Sequence, residues 1–189
     1  MRIKTNILLL ISAILLSCHV FAASSPPGIT ITRGFSGVYG LNGLAISGKW
    51  FWNPLIHFGP SWQLTGYWDG ALSYWTTSSN TNGEPSNITT LSVSPVLRIQ
   101  RQFSYNNGVS PFFDLGYGLA ALSGRQFASR RLGSNFSFLF SIGGGINFGS
   151  QSQFDVGYHY LQYNNAGLSS TNDGLFLNTL SFTYHFSQA

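Results

Sequence analysis

The chain has 189 residues, room for one domain of ordinary size. It is 43% hydrophobic and 16% aromatic but only 7% charged, against roughly 25% charged residues in soluble globular proteins, which excludes an ordinary water-facing surface. Setting aside Arg2 and Lys4 leaves seven basic against five acidic residues, too weak and too scattered an excess for a nucleic-acid partner.

Residues 1–22 read as a cleaved signal peptide. Arg2 and Lys4 form its basic start, Ile7 to Leu16 its apolar run, and Val20-Phe21-Ala22 a small-residue cleavage site before Ala23. Ten apolar residues are too few to span a bilayer as a helix. Cys18, the single cysteine, lies inside this segment. Leu15-Leu16-Ser17-Cys18 loosely matches a lipoprotein cleavage box, with Leu16 a poor fit. The mature chain, residues 23–189, then has no thiol, which excludes disulfides, cysteine nucleophiles and thiolate metal sites. No later apolar run approaches the ~18 residues of a membrane helix, so a lipid-facing chain must close its backbone hydrogen bonds as a barrel.

Period-two alternation marks the first two strands near residues 31–40 and 43–53. The second turns Lys49 to the polar side. A turn at 54–60 follows, longer than its position requires. The third strand, near 61–76, puts Asp69 on the polar side. The fourth, 87–102, carries Leu91, Val93, Pro95, Leu97 and Ile99 against Ser92, Ser94, Arg98 and Gln100. The fifth, 109–122, adds Asp114 to the polar side. The sixth, 135–148, sets Phe136, Phe138, Phe140, Ile142, Ile146 and Phe148 against Asn135, Ser137, Ser141, Gly143, Gly145 and Asn147. The seventh, 151–163, contributes Asp155 and His159. The eighth, 175–186, opposes Phe176, Leu180, Phe182, Tyr184 and Phe186 to Leu177, Thr179, Ser181, Thr183 and His185.

The bulky face is continuous and the polar face is rich in small residues. That pattern predicts an eight-stranded antiparallel transmembrane β-barrel of the outer-membrane type, apolar outside and polar within. Lys49, Asp69, Arg98, Asp114, Asp155 and His159 then form a paired lumen network, since barrels this small are filled by side chains. The connections near 77–86, 123–134 and 164–174 are long and face outside, while both termini face the periplasm. Arg125, Arg130 and Arg131 share one outer loop, and arginine suits phosphate through bidentate hydrogen bonds.

Gln162-Tyr163-Asn164-Asn165-Ala166-Gly167-Leu168, followed by Asn172-Asp173-Gly174, resembles the signature of bacterial lipid A 3-O-deacylases. Leu64-Thr65-Gly66-Tyr67-Trp68-Asp69, Pro111-Phe112-Phe113 and Leu132-Gly133-Ser134 extend the resemblance over most of the mature chain. It implies an eight-stranded barrel, no cofactor and no metal, and a lipid A partner in the bacterial outer membrane; a homodimer stays open. The family pattern, His-x-Ser-Asn-Ala-Gly and then Asn-Asp-Gly-x-Glu, implies a His-Ser-Glu arrangement on the outer wall. Laid on this sequence without a gap, those three positions are Gln162, Asn164 and Phe176. A serine nucleophile needs a base, and the base needs an acid to orient it; none of the three residues supplies either role. Asn165, Gly167 and Asn172 remain as the oxyanion or substrate region that the resemblance implies, and Arg125, Arg130 and Arg131 as lipid A phosphate contacts.

The expectation is a barrel that has lost catalysis and keeps lipid A contact or a structural role. One alternative is a working esterase drawing on Ser169 or Ser170. Another is an adhesion barrel resting on outer loops such as 78–86. His57, His159 and His185 do not have ligand spacing.

Overall fold

The computed structural model describes residues 27–37, 40–78, 85–102, 108–127, 129–149 and 152–186. The segment expected to be a signal peptide, Cys18 within it, and the tip of the 78–86 loop lie outside them. Eight long strands form the wall: β1 (Gly28–Ser36), β2 (Leu41–Phe51), β4 (Trp62–Thr77), β5 (Asn87–Arg101), β6 (Val109–Leu122), β9 (Phe136–Phe148), β10 (Phe154–Asn164) and β11 (Leu175–His185). Three short strands, β3 (Ile56–Phe58), β7 (Gln126–Phe127) and β8 (Arg130–Arg131), lie in the connections. Each long strand pairs antiparallel with its neighbours among the long strands, β1 pairs with β11, and the eight-stranded wall closes on itself. Closure leaves no wall strand with unpaired backbone facing lipid, which is what makes a barrel viable there.

The pleat assigns the faces as the alternation requires. Along β6, Val109, Phe113, Leu115, Tyr117 and Leu119 are exposed while Ser110, Phe112, Asp114 and Ala120 are buried. The expected outward stripes of β5, β9 and β11 hold, with Leu91, Val93, Phe136, Ile146, Leu180 and Phe182 all exposed. Trp50, Trp62, Tyr184 and Phe186 ring the wall at the turn end, the aromatic girdle of an interface.

The first hairpin departs from expectation. Its strands run over 28–36 and 41–51 rather than 31–40 and 43–53, and Gly40, at φ +57°, sits in the turn. The cause is long-range: Gly28 pairs with both His185 and Lys49, and Gly34 stands opposite Gly43. The Trp75 indole lies over that glycine pair, leaving a Cβ at either one only 2.4 Å from its ring. The long 54–60 turn is explained by β3, which pairs with Trp62–Leu64 and extends the hairpin beyond the wall.

The lumen has two ends. Toward the long loops it is closed by an apolar plug that includes Leu41, Trp75, Ile88, Phe127, Leu132, Tyr163 and Leu175. Toward the turns lies the charged network. Arg98, 1% exposed, donates from Nε and Nη2 to the Asp114 carboxylate at 2.7 and 2.8 Å and from Nη1 to Asp155 at 2.7 Å. Its guanidinium carbon stands 3.7 Å from the centre of the Phe112 ring. The Tyr67 hydroxyl and the His159 ring also meet Asp114, at 2.9 and 3.1 Å. Asp155 accepts from Asn147 at 2.7 Å and has His185 Nε2 within 3.1 Å. His159 therefore meets Asp114 rather than Asp155: four residues along β10 separate His159 from Asp155 by roughly 13 Å. Between plug and network is a cavity of about 90 Å3, lined by Ser47, Lys49, Asp69, Ser94 and His159 among others.

Candidate functional site

The outer wall of β10 and β11 carries the three positions singled out by the motif. Gln162 stands directly across from Phe176 in the ladder. Their chain neighbours Tyr163, Leu175 and Leu177 are buried in the lumen plug, so Gln162 and Phe176 project outward. Asn164, two residues further along β10, shares that face and ends the strand. Its Oδ1 accepts the backbone N–H of Ala166 at 2.9 Å, starting the turn. The Phe176 ring stacks on Tyr160, centroids 6.2 Å apart and planes at 23°. Below them the Tyr158 hydroxyl donates to Asn178 Oδ1 at 2.7 Å. The patch thus combines three carboxamides, a phenyl ring and two phenols. It can hydrogen-bond and stack. No group in it takes a proton from a hydroxyl near neutral pH.

The loop after β10 is tied down by Asn165, which is 0% exposed. Its Nδ2 donates to the carbonyls of Leu132 and Thr171, both at 2.8 Å, and its Oδ1 accepts from Gly167 at 2.9 Å. Asn172 Oδ1 accepts the Asn165 N–H at 3.0 Å. The Asn165 and Asn172 side chains therefore bind this loop to itself and to the segment before β9. Gly167 and Gly174 adopt φ of +79° and +65°, conformations that glycine reaches without steric cost.

The arginine loop lies against the same knot. Its two-stranded hairpin, β7–β8, docks through Asp173, whose N–H donates to the Arg131 carbonyl, whose Oδ2 accepts the Arg131 N–H and whose carbonyl accepts from Arg130 Nη1. Arg125 donates to Asn135 Oδ1 at 2.8 Å. Folding thus gathers Arg125, Arg130 and Arg131 at the rim beside the motif loop. Replacing Asp173 by alanine removes the side-chain acceptor for Arg131 N–H. Trypsin cleavage after Arg130 or Arg131 is expected to become several-fold faster, with the barrel otherwise intact, because proteolysis follows local opening.

His57 lies in β3, at the end of the barrel opposite the loops, and its Nδ1 is 3.0 Å from Gln102 Nε2. His159 and His185 belong to the lumen network. Three members of that network, Tyr67, Asn147 and His185, were not anticipated as such, although alternation placed Asn147 and His185 on the inward face.

A family model described as lipid A 3-O-deacylase (PagL) matches residues 42–187. The chain belongs to the lipid A 3-O-deacylase (PagL) family. A lipid A deacylase PagL of Pseudomonas aeruginosa is 32% identical over 170 residues, covering 88% of this chain and 90% of that protein. A second, from Bordetella bronchiseptica, is 29% identical over 117 residues, covering 62% of this chain and 60% of that protein. The crystal structure of the outer membrane enzyme PagL superimposes with a TM-score of 0.71 at 28% identity, covering 84% of this chain and 99% of the other. This PagL-family chain is accordingly an eight-stranded barrel of the bacterial outer membrane.

Proposed function

We propose that this PagL-family barrel holds lipid A against the outer wall of β10 and β11 without cleaving it. One observation carries the reading. The motif positions for base, nucleophile and acid converge on one outward patch, and there they are Gln162, Asn164 and Phe176. The patch keeps the placement that the family pattern requires and lacks its proton chemistry. A carboxamide neither attacks an ester usefully nor accepts its proton, and a phenyl ring orients no base. The arginine hairpin supplies cations at the rim, where lipid A carries phosphate, and residues 1–22 serve as the export signal.

A rewired esterase finds no support in the site. Ser169 and Ser170 lie in the motif loop, but among the described residues the histidines are in the lumen or at the opposite end of the barrel.

The test uses the full mature barrel, refolded and incubated with purified lipid A in mixed micelles. Lipid A is expected to stay with the barrel through gel filtration while its acyl chains remain uncut by mass spectrometry. Released fatty acid, or no retention of lipid A, would overturn the reading.

A further inference from the structure

The wall of a barrel is expected to be uncharged where it meets acyl chains, and a cation at the bilayer midplane costs about 2–4 kcal/mol. Among the described residues, two charges occupy outward positions of the long strands, Arg33 and Arg101. Arg101 is the last residue of β5, at the turn end. Arg33 is different. It sits within β1, flanked in the ladder by Leu180 of β11 and Leu44 of β2, both exposed on the same wall.

Its guanidinium does not stay at that level. Nη2 donates to Asn42 Oδ1 at 3.1 Å, and Asn42 stands opposite Phe35, two residues nearer the loop rim. Asn42 is the second residue of β2. The stem therefore runs up over apolar neighbours and delivers the charge to the rim, as long cations do at an interface.

No described carboxylate meets it there. Asp114 and Asp155 are bound to Arg98 in the lumen. Asp69 faces Lys49 across the ladder and lines the lumen cavity. Asp173 holds the β7–β8 hairpin. The counter-charge for Arg33 must come from outside the described protein, and at this height the surroundings are the headgroups of the outer leaflet.

The geometry points to a lipid-phosphate site on the outer wall of β1 and β2, in which Arg33 supplies the cation and Asn42 aims it. Four guanidinium N–H groups beyond the one given to Asn42, and the Asn42 amide N–H groups, remain for phosphate oxygens. The site is separate from the β10–β11 patch and depends only on the barrel's place in the outer membrane, not on the fate of an acyl ester.

The experiment is native mass spectrometry of the mature barrel in detergent, titrated with diphosphoryl lipid A, its dephosphorylated form, phosphatidylglycerol and inorganic phosphate. Arg33→Leu fits the apolar wall, and Arg33→Gln keeps a polar N–H donor without the charge; unboiled gel mobility reports folding of each. Both variants are expected to bind the phosphorylated lipid roughly tenfold more weakly, the worth of one charge-assisted hydrogen bond. The dephosphorylated lipid should bind wild type and variants alike. Preference of wild type for diphosphoryl lipid A or for phosphatidylglycerol names the source of the phosphate. Glu84→Gln, which removes the carboxylate of the 78–86 loop, should change nothing. Equal binding by wild type and both Arg33 variants, no discrimination for phosphate, or loss of binding in Glu84→Gln would each overturn the site.

Discussion

Arg98→Met is expected to destabilise the barrel by about 3–5 kcal/mol, the cost of stranding buried partners of a broken ion pair. Methionine keeps most of the aliphatic stem but not the guanidinium that lies over Phe112, so the loss is one of charge and of that ring contact. Asp114 and Asp155, 1% and 2% exposed, would be left as adjacent anions in the lumen. His159 and His185 lie 3.1 Å from them, but neither replaces the three bonds that the guanidinium donates. Urea unfolding in micelles, followed by tryptophan fluorescence, measures the loss. The combination Arg98→Met, Asp114→Asn and Asp155→Asn should recover most of it, because neutral partners no longer need the cation. A change under about 1 kcal/mol in the single variant would mean that the network is not the structural centre of the lumen.

The second large effect concerns activity. Gln162→His, Asn164→Ser and Phe176→Glu, made together, are expected to create deacylation where the natural chain has none, on the order of 10^3-fold above its background. Gln162 and Phe176 are cross-strand partners, with Cβ atoms about 5 Å apart in such pairs, so an imidazole and a carboxylate placed there come within hydrogen-bond reach. Position 164 lies about 7 Å along the same face, one side chain's reach from the imidazole. Singly, each change should do little, since base, nucleophile and acid act as a unit. The glutamate is the costly member, because it forfeits the Tyr160 stack and puts charge on a lipid-facing wall. The readout therefore requires the triple variant to be folded, as shown by unboiled gel mobility. Inactivity in a folded triple variant would mean that the wall no longer presents a lipid ester to position 164.

Much of this architecture was legible because a strand's faces alternate without exception while the strand lasts. That rule placed Arg98, Asp114 and Asp155 inside and Phe136, Leu180 and Phe182 outside, from type and parity alone. Strand ends were less legible. Glycines at 34, 37, 40 and 43 look equally suited to a turn; what separates them is Trp75, far along the chain, which needs Gly34 and Gly43 within the strands. Pairings inside the lumen were hidden for the same reason, since the stagger of eight strands decides that His159 meets Asp114 and His185 meets Asp155. Asn165 shows a further limit. Its place in a family motif suggests a role toward substrate, yet its amide donates to Thr171 within the loop and to Leu132 of the segment before β9. Arg33 was open to the parity rule all along and became informative only when every described carboxylate had been located.

The most direct test is the lipid A of a Gram-negative host expressing the unaltered chain in its outer membrane, extracted and weighed by mass spectrometry. The account predicts full acylation, identical to that of the host without the barrel, while cells carrying the folded triple variant lose one ester-linked chain. Loss of that chain with the unaltered protein would contradict it, and would require a nucleophile and base that the β10–β11 wall does not contain.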